Sequence, residues 1–546
     1  MKPISTTKLL IVTALFFITF TNLAFFRNIL GVYPISLKNG FFLLSLPVAF
    51  TCVNITLLSL VCFKHTTKPI LIILLVAASL AAYFMDMYNV IIDDTMVDNI
   101  VKTDLHEAYD LLSTKQLMYL ILFGILPAIF IYRTPLQNTS IRQLIKSRLA
   151  ITSSSLLILV IALLTFGNFY ASFFREHKSL RLYANPSYLV YSTGKFLKRF
   201  YQASAAELKP LGIDARIAAT DSHRELIVFV VGETARADRL SINGYGKATT
   251  PRLAAADVIS FTHFEACGTS TAVSAPCMFS VYGQADFSKE EGVSTENVLD
   301  VLQRSGVNVV WLDNNSDSKG VANRIDYQDY KTSANNPQCD DECRDMGMLA
   351  HLQEYIDAHP TGDIFIVLHQ MGNHGPAYYK RYPPAYETFK PVCKTNQLED
   401  CSSLEISNAY DNALLYTDAF VGKTIDLLRQ NTDDFEAALL YASDHGESLG
   451  ENGLYLHGMP RLFAPETQTH VPVVMWFSDN FDPTEVDIPS LKASRHKPFT
   501  HDAIFHTILG LMEIETGVYQ ADLDLVDRSQ ADTIPKATVE PMLSAE

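Results

Sequence analysis

Five apolar runs fill most of the first 175 residues, at about 9–26, 41–63, 70–92, 117–132 and 149–174. Most of them match the ~20 residues that an α-helix needs to cross a bilayer. They are therefore read as five transmembrane helices. A cleaved signal peptide is the alternative for the first run, but no A-x-A-like site follows it and four more runs do.

Basic residues orient these spans. Lys2 and Lys8 lie at the start, Lys64 and Lys68 in the second connection, and Arg133, Arg142, Lys146 and Arg148 in the fourth. All three regions belong on the cytoplasmic side. The connection 93–116 is acidic, and an odd number of spans starting inside delivers everything after about residue 175 to the outside. Residues 1–200 hold 18 Lys+Arg against 8 Asp+Glu, a formal +10, so a total of −16 leaves −26 for residues 201–546. An exported part this acidic argues against a nucleic-acid partner.

Cysteine usage agrees with export. Cys52 and Cys62 lie in or beside the second run, whereas six others form close pairs in the exported part: Cys267/Cys277, Cys339/Cys343 and Cys393/Cys401. That pattern fits an oxidising compartment. Nearest-neighbour pairing is expected, because short loops close most readily. No pair has the CxxC spacing of a zinc ribbon or redox motif.

Between the two parts, Arg175, Lys178, Arg181, Lys195, Lys198 and Arg199 interleave with aromatic residues such as Phe174, Tyr183 and Phe200. This composition suits a segment lying against anionic headgroups; a solvated linker is the alternative. The expected organisation is a transmembrane domain over 1–175, a membrane-surface linker over 176–222 and an exported domain over 223–546.

From residue 225 on, short apolar runs alternate with helical patterns: ELIVFVVGE (225–233), VNVVWLDN (307–314), DIFIVLHQ (363–370), EAALLYASDHGE (436–447) and VPVVMWFSD (471–479). Runs apolar at successive positions suit strands covered on both faces. They predict an α/β domain around a mostly parallel sheet, in which ligands bind beyond the carboxyl ends of strands. Glu233, the pair Asp444-His445 and the NHGP segment with His374 stand at such ends, and His457 follows in LYLHG. Carboxylates with imidazoles suit Zn2+, with Mn2+ as runner-up. Each residue alone is a poor signal, since a Glu after a strand is more often a cap. SDHGESLGENG weighs more, because it joins acid, imidazole and glycines where close backbone approach has a use.

The loop CGTSTAVSAPC (267–277) adds hydroxyls to this set. A Thr or Ser hydroxyl is a weak nucleophile at its ordinary pKa, and metal coordination can supply the alkoxide. A disulfide would hold such a hydroxyl on the metal, and a helix beginning within TSTAVS would aim N–H groups at a phosphate. Spacing leaves open which of Thr269, Ser270, Thr271 and Ser274 is the nucleophile.

VGETAR (231–236), CGTSTAVSAPCMFS (267–280), DNNSDSKG (313–320), NHGPAYYKRYPP (373–384), AYDNALLYTD (409–418) and SDHGESLGENGLYLHG (443–458) closely resemble motifs of the lipid A phosphoethanolamine transferases, a family that includes the mobilised colistin-resistance enzymes. The resemblance implies a multi-pass protein of the bacterial inner membrane with a periplasmic, zinc-dependent domain of the alkaline phosphatase/sulfatase fold. It implies transfer of phosphoethanolamine from phosphatidylethanolamine to a lipid A phosphate of lipopolysaccharide, acting as a monomer and conferring polymyxin resistance. By motif, the zinc ligands fall on Glu233, Thr271, Asp444 and His445, with Thr271 the nucleophile. His374 and His457 match histidines that assist and can hold a second zinc, and Lys319 matches a basic residue near the donor or product phosphate. Asn99, Thr103 and Glu107, at i, i+4 and i+8 on one helix face, match the positions that bind the ethanolamine end of the donor. In one departure, Ser318 and Ala322 stand where many relatives carry a cysteine pair, so the Lys319 loop lacks that brace. Transfer to a core heptose or Kdo, hydrolysis with water as acceptor, and a membrane-anchored binding protein with a decayed site are the alternatives.

Overall fold

The computed structural model describes residues 3–526 apart from 104, 204–206, 220, 222, 341 and 484. The chain divides into two compact units, one of Met1–Tyr201 with Leu449–Phe463, the other of Gln202–Ser448 with Ala464–Glu546.

In the first unit, the helices Leu37–Val61, Thr67–Tyr88, Thr114–Arg133 and Ile141–Thr165 are long and apolar enough to cross a membrane. Thr6–Phe20 and Leu23–Val32, bent by 58° at a short break, make the fifth span. A break among apolar helices leaves backbone groups that must be paired inside the protein. Asn22 sits at this one: its Nδ2 donates to Phe17 O at 2.9 Å and to Asn185 O at 2.6 Å. Asn185 reciprocates, its N–H donating to Asn22 Oδ1 at 3.0 Å and its Nδ2 to Thr21 O at 3.1 Å. Both asparagines are buried, so two side-chain amides close the bend from within the protein.

The connection 93–116 corrects one expectation. Asn99, Thr103 and Glu107 do not share one helix, because the chain forms two, Asp94–Lys102 and Leu105–Leu111, with Thr103 extended at the end of the first. Thr103 donates both its N–H and its hydroxyl to Asn99 O at 2.8 Å. The side chain of Glu107 lies outside the described residues. In the helix Ser187–Ala203, Lys195 and Arg199 pair with Asp94 at 3.1 and 2.5 Å, so two of its cations face a protein carboxylate.

The second unit is built on an eight-stranded sheet. In chain order its strands are β1 (Glu225–Gly232), β2 (Ile259–Glu265), β3 (Asn308–Asp313), β4 (Asp326–Asp329), β5 (Ile364–His369), β6 (Glu436–Ser443), β7 (His470–Phe477) and β8 (Phe499–Thr500). They lie in the order β8-β2-β7-β6-β1-β5-β3-β4. The run from β6 through β1, β5 and β3 to β4 is parallel, as the apolar pattern predicts. β7 instead runs antiparallel to both β6 and β2. An apolar run records burial on both faces and not strand direction, so the pattern of 471–479 held no signal for this reversal.

Strand alternation supplies a core to each face. Ile227, Phe229 and Val231 of β1 join one cluster with Ala275, Met278 and Phe505, while Leu226, Val228 and Val230 join another with Phe420, Ile425 and Leu428 of the helix Ser403–Arg429. The short helix Thr271–Met278 thus packs on the first face, with its amino end at residue 271.

Candidate active site

Sheet register brings the first two candidates together. Gly232 at the end of β1 is paired with Ser443 at the end of β6, so the next residues, Glu233 and Asp444, leave the sheet side by side. His445 follows directly. Glu233, Asp444 and His445 are all buried, and one ligand atom from each lies within 4.8 Å of the others. His445 Nε2 stands 3.3 Å from Glu233 Oε1 and 3.3 Å from Asp444 Oδ2.

Local hydrogen bonds fix each group. The N–H groups of His445 and Thr234 donate to Asp444 Oδ1 at 2.7 and 3.2 Å. His445 Nδ1 lies 2.9 Å from Gly446 O, a contact that only a ring N–H can make, which leaves Nε2 with its lone pair toward the cluster. A side chain at Gly446 would meet Thr467 O at 2.2 Å, so glycine is what lets this turn close. Gly372, at φ +50, likewise has no room for a Cβ against Glu233 O at 2.9 Å. Burial and then the Glu233 carboxylate push the Asp444 carboxyl well above the ordinary range. Two buried carboxylates facing one imidazole are an unbalanced set, and a divalent cation among them reverses the cost. An O/O/N donor set with a hydroxyl beside it fits Zn2+.

That hydroxyl belongs to Thr271. Its Oγ1 donates to Glu233 Oε2 at 2.9 Å and lies 3.4 Å from His445 Nε2. The other hydroxyls of the loop are placed differently. Ser270 occupies the N-cap position without a side-chain bond to the helix, and Ser274 Oγ turns back to accept the Gly268 N–H at 2.9 Å. Thr271 is the first helical residue, so the positive end of the helix dipole lies at its backbone.

The disulfide Cys267–Cys277 closes this loop, as nearest-neighbour pairing predicts, and Cys339–Cys343 and Cys393–Cys401 complete the set. His501 ties the loop to the sheet. It accepts the Cys267 N–H on Nδ1 at 3.2 Å and donates from Nε2 to Ser443 O at 3.1 Å, one residue before Asp444.

Three positioning residues escaped the sequence reading. Asn315 Nδ2 donates to Glu233 Oε2 and to Gln370 O, each at 2.7 Å. Asp345 accepts from Asn314 Nδ2 at 2.7 Å and from the Met371 and Gly372 N–H groups at 2.8 and 3.0 Å, which holds the loop after β5. His501 is the third. Only Asn315 had a visible signal, being two residues beyond a strand end that faces the site.

The remaining candidates are spread more widely. His374 is buried on the loop after β5, its carbonyl accepting from Arg381 Nε at 2.7 Å. Lys319 Nζ donates to Ser316 Oγ at 2.6 Å and Ser316 O at 3.1 Å. Its loop is braced without cysteines, since Ser318 Oγ accepts the Ala322 N–H at 3.1 Å and Asp313 Oδ1 accepts the Asn315 N–H at 3.0 Å. His457 lies in the segment Leu449–Phe463, which groups with the first unit, as do Asn99 and Thr103.

Comparison with known proteins matches this architecture in both parts. Residues 50–201 match the family model described as phosphoethanolamine transferase EptA/EptB, and residues 225–514 match the sulfatase model. The chain is 42% identical to phosphatidylethanolamine transferase Mcr-2 of Escherichia coli over 92% of its own length and 94% of that protein. It is 40% identical to Mcr-1 of Escherichia coli, covering 94% of its own length and 96% of that protein. The solved integral membrane lipooligosaccharide phosphoethanolamine transferase A of Neisseria meningitidis superposes with a TM-score of 0.92 at 33% identity, covering 96% of this chain and 99% of that one.

Proposed function

The chain belongs to the EptA/EptB phosphoethanolamine transferase family, and from that premise we propose that it moves phosphoethanolamine from phosphatidylethanolamine to a lipid A phosphate through a phospho-threonine at Thr271. It is an enzyme of the bacterial inner membrane with its catalytic domain in the periplasm. The observation that carries the reading is the Thr271 hydroxyl, held 2.9 Å from Glu233 Oε2 beside Asp444 and His445 at the start of a helix.

Glu233, Asp444, His445 and Thr271 would hold zinc, and zinc would supply the positive charge that makes a threonine hydroxyl nucleophilic near neutral pH. Thr271 Oγ1 gives up its proton along its hydrogen bond to Glu233 and bonds to phosphorus. The bond from phosphorus to the diacylglycerol oxygen breaks, and that oxygen takes a proton. In the second half-reaction a lipid A phosphate oxygen attacks the same phosphorus and Thr271 is released. The amino end of the helix Thr271–Met278 favours the negative phosphoryl oxygens at this position.

His374 and His457 are assigned to proton supply and to a second zinc, and Lys319 to the phosphate. Asn99, Thr103 and Glu107 are assigned to the donor headgroup, with a carboxylate matched to an ammonium. The parts 1–175, 176–222 and 223–546 would serve as anchor, membrane-surface linker and catalyst, and one copy of the chain would suffice. Mass spectrometry of lipid A from a Gram-negative host tests the reading. Expression of the wild type should add one or more phosphoethanolamine groups, whereas Thr271→Ala should add none. Modification by the T271A protein, or addition only to a core sugar, would count against it.

A further inference from the structure

The end of the sheet opposite Glu233 carries a second collection of acids. Glu225 begins β1, Glu436 begins β6 and Asp363 immediately precedes β5. Asp221 lies just upstream, and Glu485 and Glu513 come from later loops. At about 3.3 Å per residue, the length of β1 puts Glu225 roughly 25 Å from Glu233. The two groups are separate sites.

Glu225 is 0% exposed, and neither of its carboxylate oxygens accepts from a nitrogen or hydroxyl donor among the described residues, the Asp363 carboxyl lying against it instead. Glu485 Oε2 and Glu513 Oε2 are likewise buried without one. One oxygen each from Asp221, Glu225 and Glu513 lies within 4.8 Å of the others. Nearby cations do not balance them. Arg224 spends its guanidinium on His359 O and Gly362 O and on the face of Phe435, and His223 Nδ1 sits 3.1 Å from Glu436 Oε1. Burial first, and then neighbouring carboxylates, push Glu225 up to about 10, Glu485 to about 8 and Glu513 to about 7. Carboxylates converging in this way, one of them fully buried with another acid, Asp363, against it, lack a positive charge at their centre.

We propose that Asp221, Glu225 and Glu513 form a structural site for one hard divalent cation, Ca2+ by preference, that pins the start of β1 to the flanking segments. All three donors are carboxylate oxygens, with no nitrogen or sulfur among them, which separates this site from the zinc set at the other end. Ca2+ accepts irregular oxygen cages at about 2.3–2.6 Å and completes them with water or carbonyls. Asp221 precedes β1 and Glu513 follows the helix Asp502–Leu511, so one ion would join three stretches distant in sequence.

The test uses the full-length protein in detergent, stripped of metal, reloaded with zinc and titrated with Ca2+ by calorimetry and thermal melting. One Ca2+ per chain should bind and raise the Tm by a few degrees through linkage. Glu225→Gln and Glu513→Gln should each weaken binding at least tenfold and remove most of that rise, with transferase activity unchanged at saturating zinc. Absence of Ca2+ binding by the wild type, or equal binding by both variants, overturns the proposal. If the E225Q protein does not fold, E513Q decides alone, because Glu513 is only partly buried. An E225Q protein that melts higher than wild type, with Ca2+ adding nothing to either, would show a proton shared between Glu225 and Asp363 in place of the ion.

Discussion

Four hydroxyls crowd residues 269–274, and their chemistry is nearly the same until neighbours are assigned. Ser274 closes its own loop on Gly268, Ser270 stands at the helix N-cap position with its hydroxyl making no bond to the helix, and Thr271 donates to Glu233. Glu233 is in turn held by Asn315, whose amide is committed to two acceptors at 2.7 Å. A hydrogen bond to a buried carboxylate contributes about 1.5–3 kcal/mol, and such supporting groups cost roughly 10–100-fold in metal affinity or activity when removed. Asn315→Ala should therefore lower kcat by that factor or raise the zinc concentration needed for half-activity, with the fold intact by circular dichroism. Unchanged zinc dependence and unchanged kcat would reduce Asn315 to a loop residue.

At the scale of elements, the loop 267–277 that carries the proposed nucleophile is restrained from three directions. The Cys267–Cys277 disulfide closes it, His501 links it to the end of β6, and Gln284 Nε2 donates to Ala266 O and Cys267 O at 3.1 and 3.0 Å. Closing a loop of this size stabilises by about 2–3 kcal/mol in the chain-entropy model. Replacing Cys267 and Cys277 together by serine should lower the Tm by several degrees and reduce the rate of phospho-threonine formation. His501 and Gln284 remain, so activity should fall rather than vanish. Non-reducing peptide mapping checks the premise, and any partner for Cys267 other than Cys277 would refute it.

Across the whole molecule, chemistry and location have one cause, since donor and acceptor are both lipids and a span-anchored enzyme meets them at the bilayer. The reaction changes surface charge. A phosphate monoester carries about −1.5 to −2 near pH 7, whereas attack by its oxygen on the phosphoethanolamine phosphorus gives a diphosphate with about one negative charge on each phosphoryl group and an ammonium that stays protonated at that pH, a net of roughly −1. Cationic polymyxins should bind the modified surface less. Expression in a susceptible host should raise the inhibitory polymyxin concentration several-fold, and the T271A protein should leave it unchanged. Equal resistance from both would separate phenotype from chemistry.

Much of this was already written in local sequence. The five spans follow from run length and apolarity, export from the placement of lysines and arginines, and disulfide pairing from short spacing. The parallel strands follow from unbroken apolar runs, and the motifs around Glu233, Thr271 and Asp444-His445 named the family. Each of these is a property of neighbours along the chain, where composition and period suffice. Other features waited on tertiary structure because they depend on partners distant in sequence. Strand register set Glu233 against Asp444, and helix placement put the Thr271 hydroxyl against Glu233. Asn315, Asp345 and His501 gained their roles only when folding carried them to other loops. β7 took its antiparallel direction from its neighbours, and the helix through Asn99 stopped at Thr103, whose backbone turns extended. Pattern records which residues must be buried; only the closed chain decides what each buried group touches, because hydrogen bonds and charge pairs act over a few ångströms of space and not along the sequence.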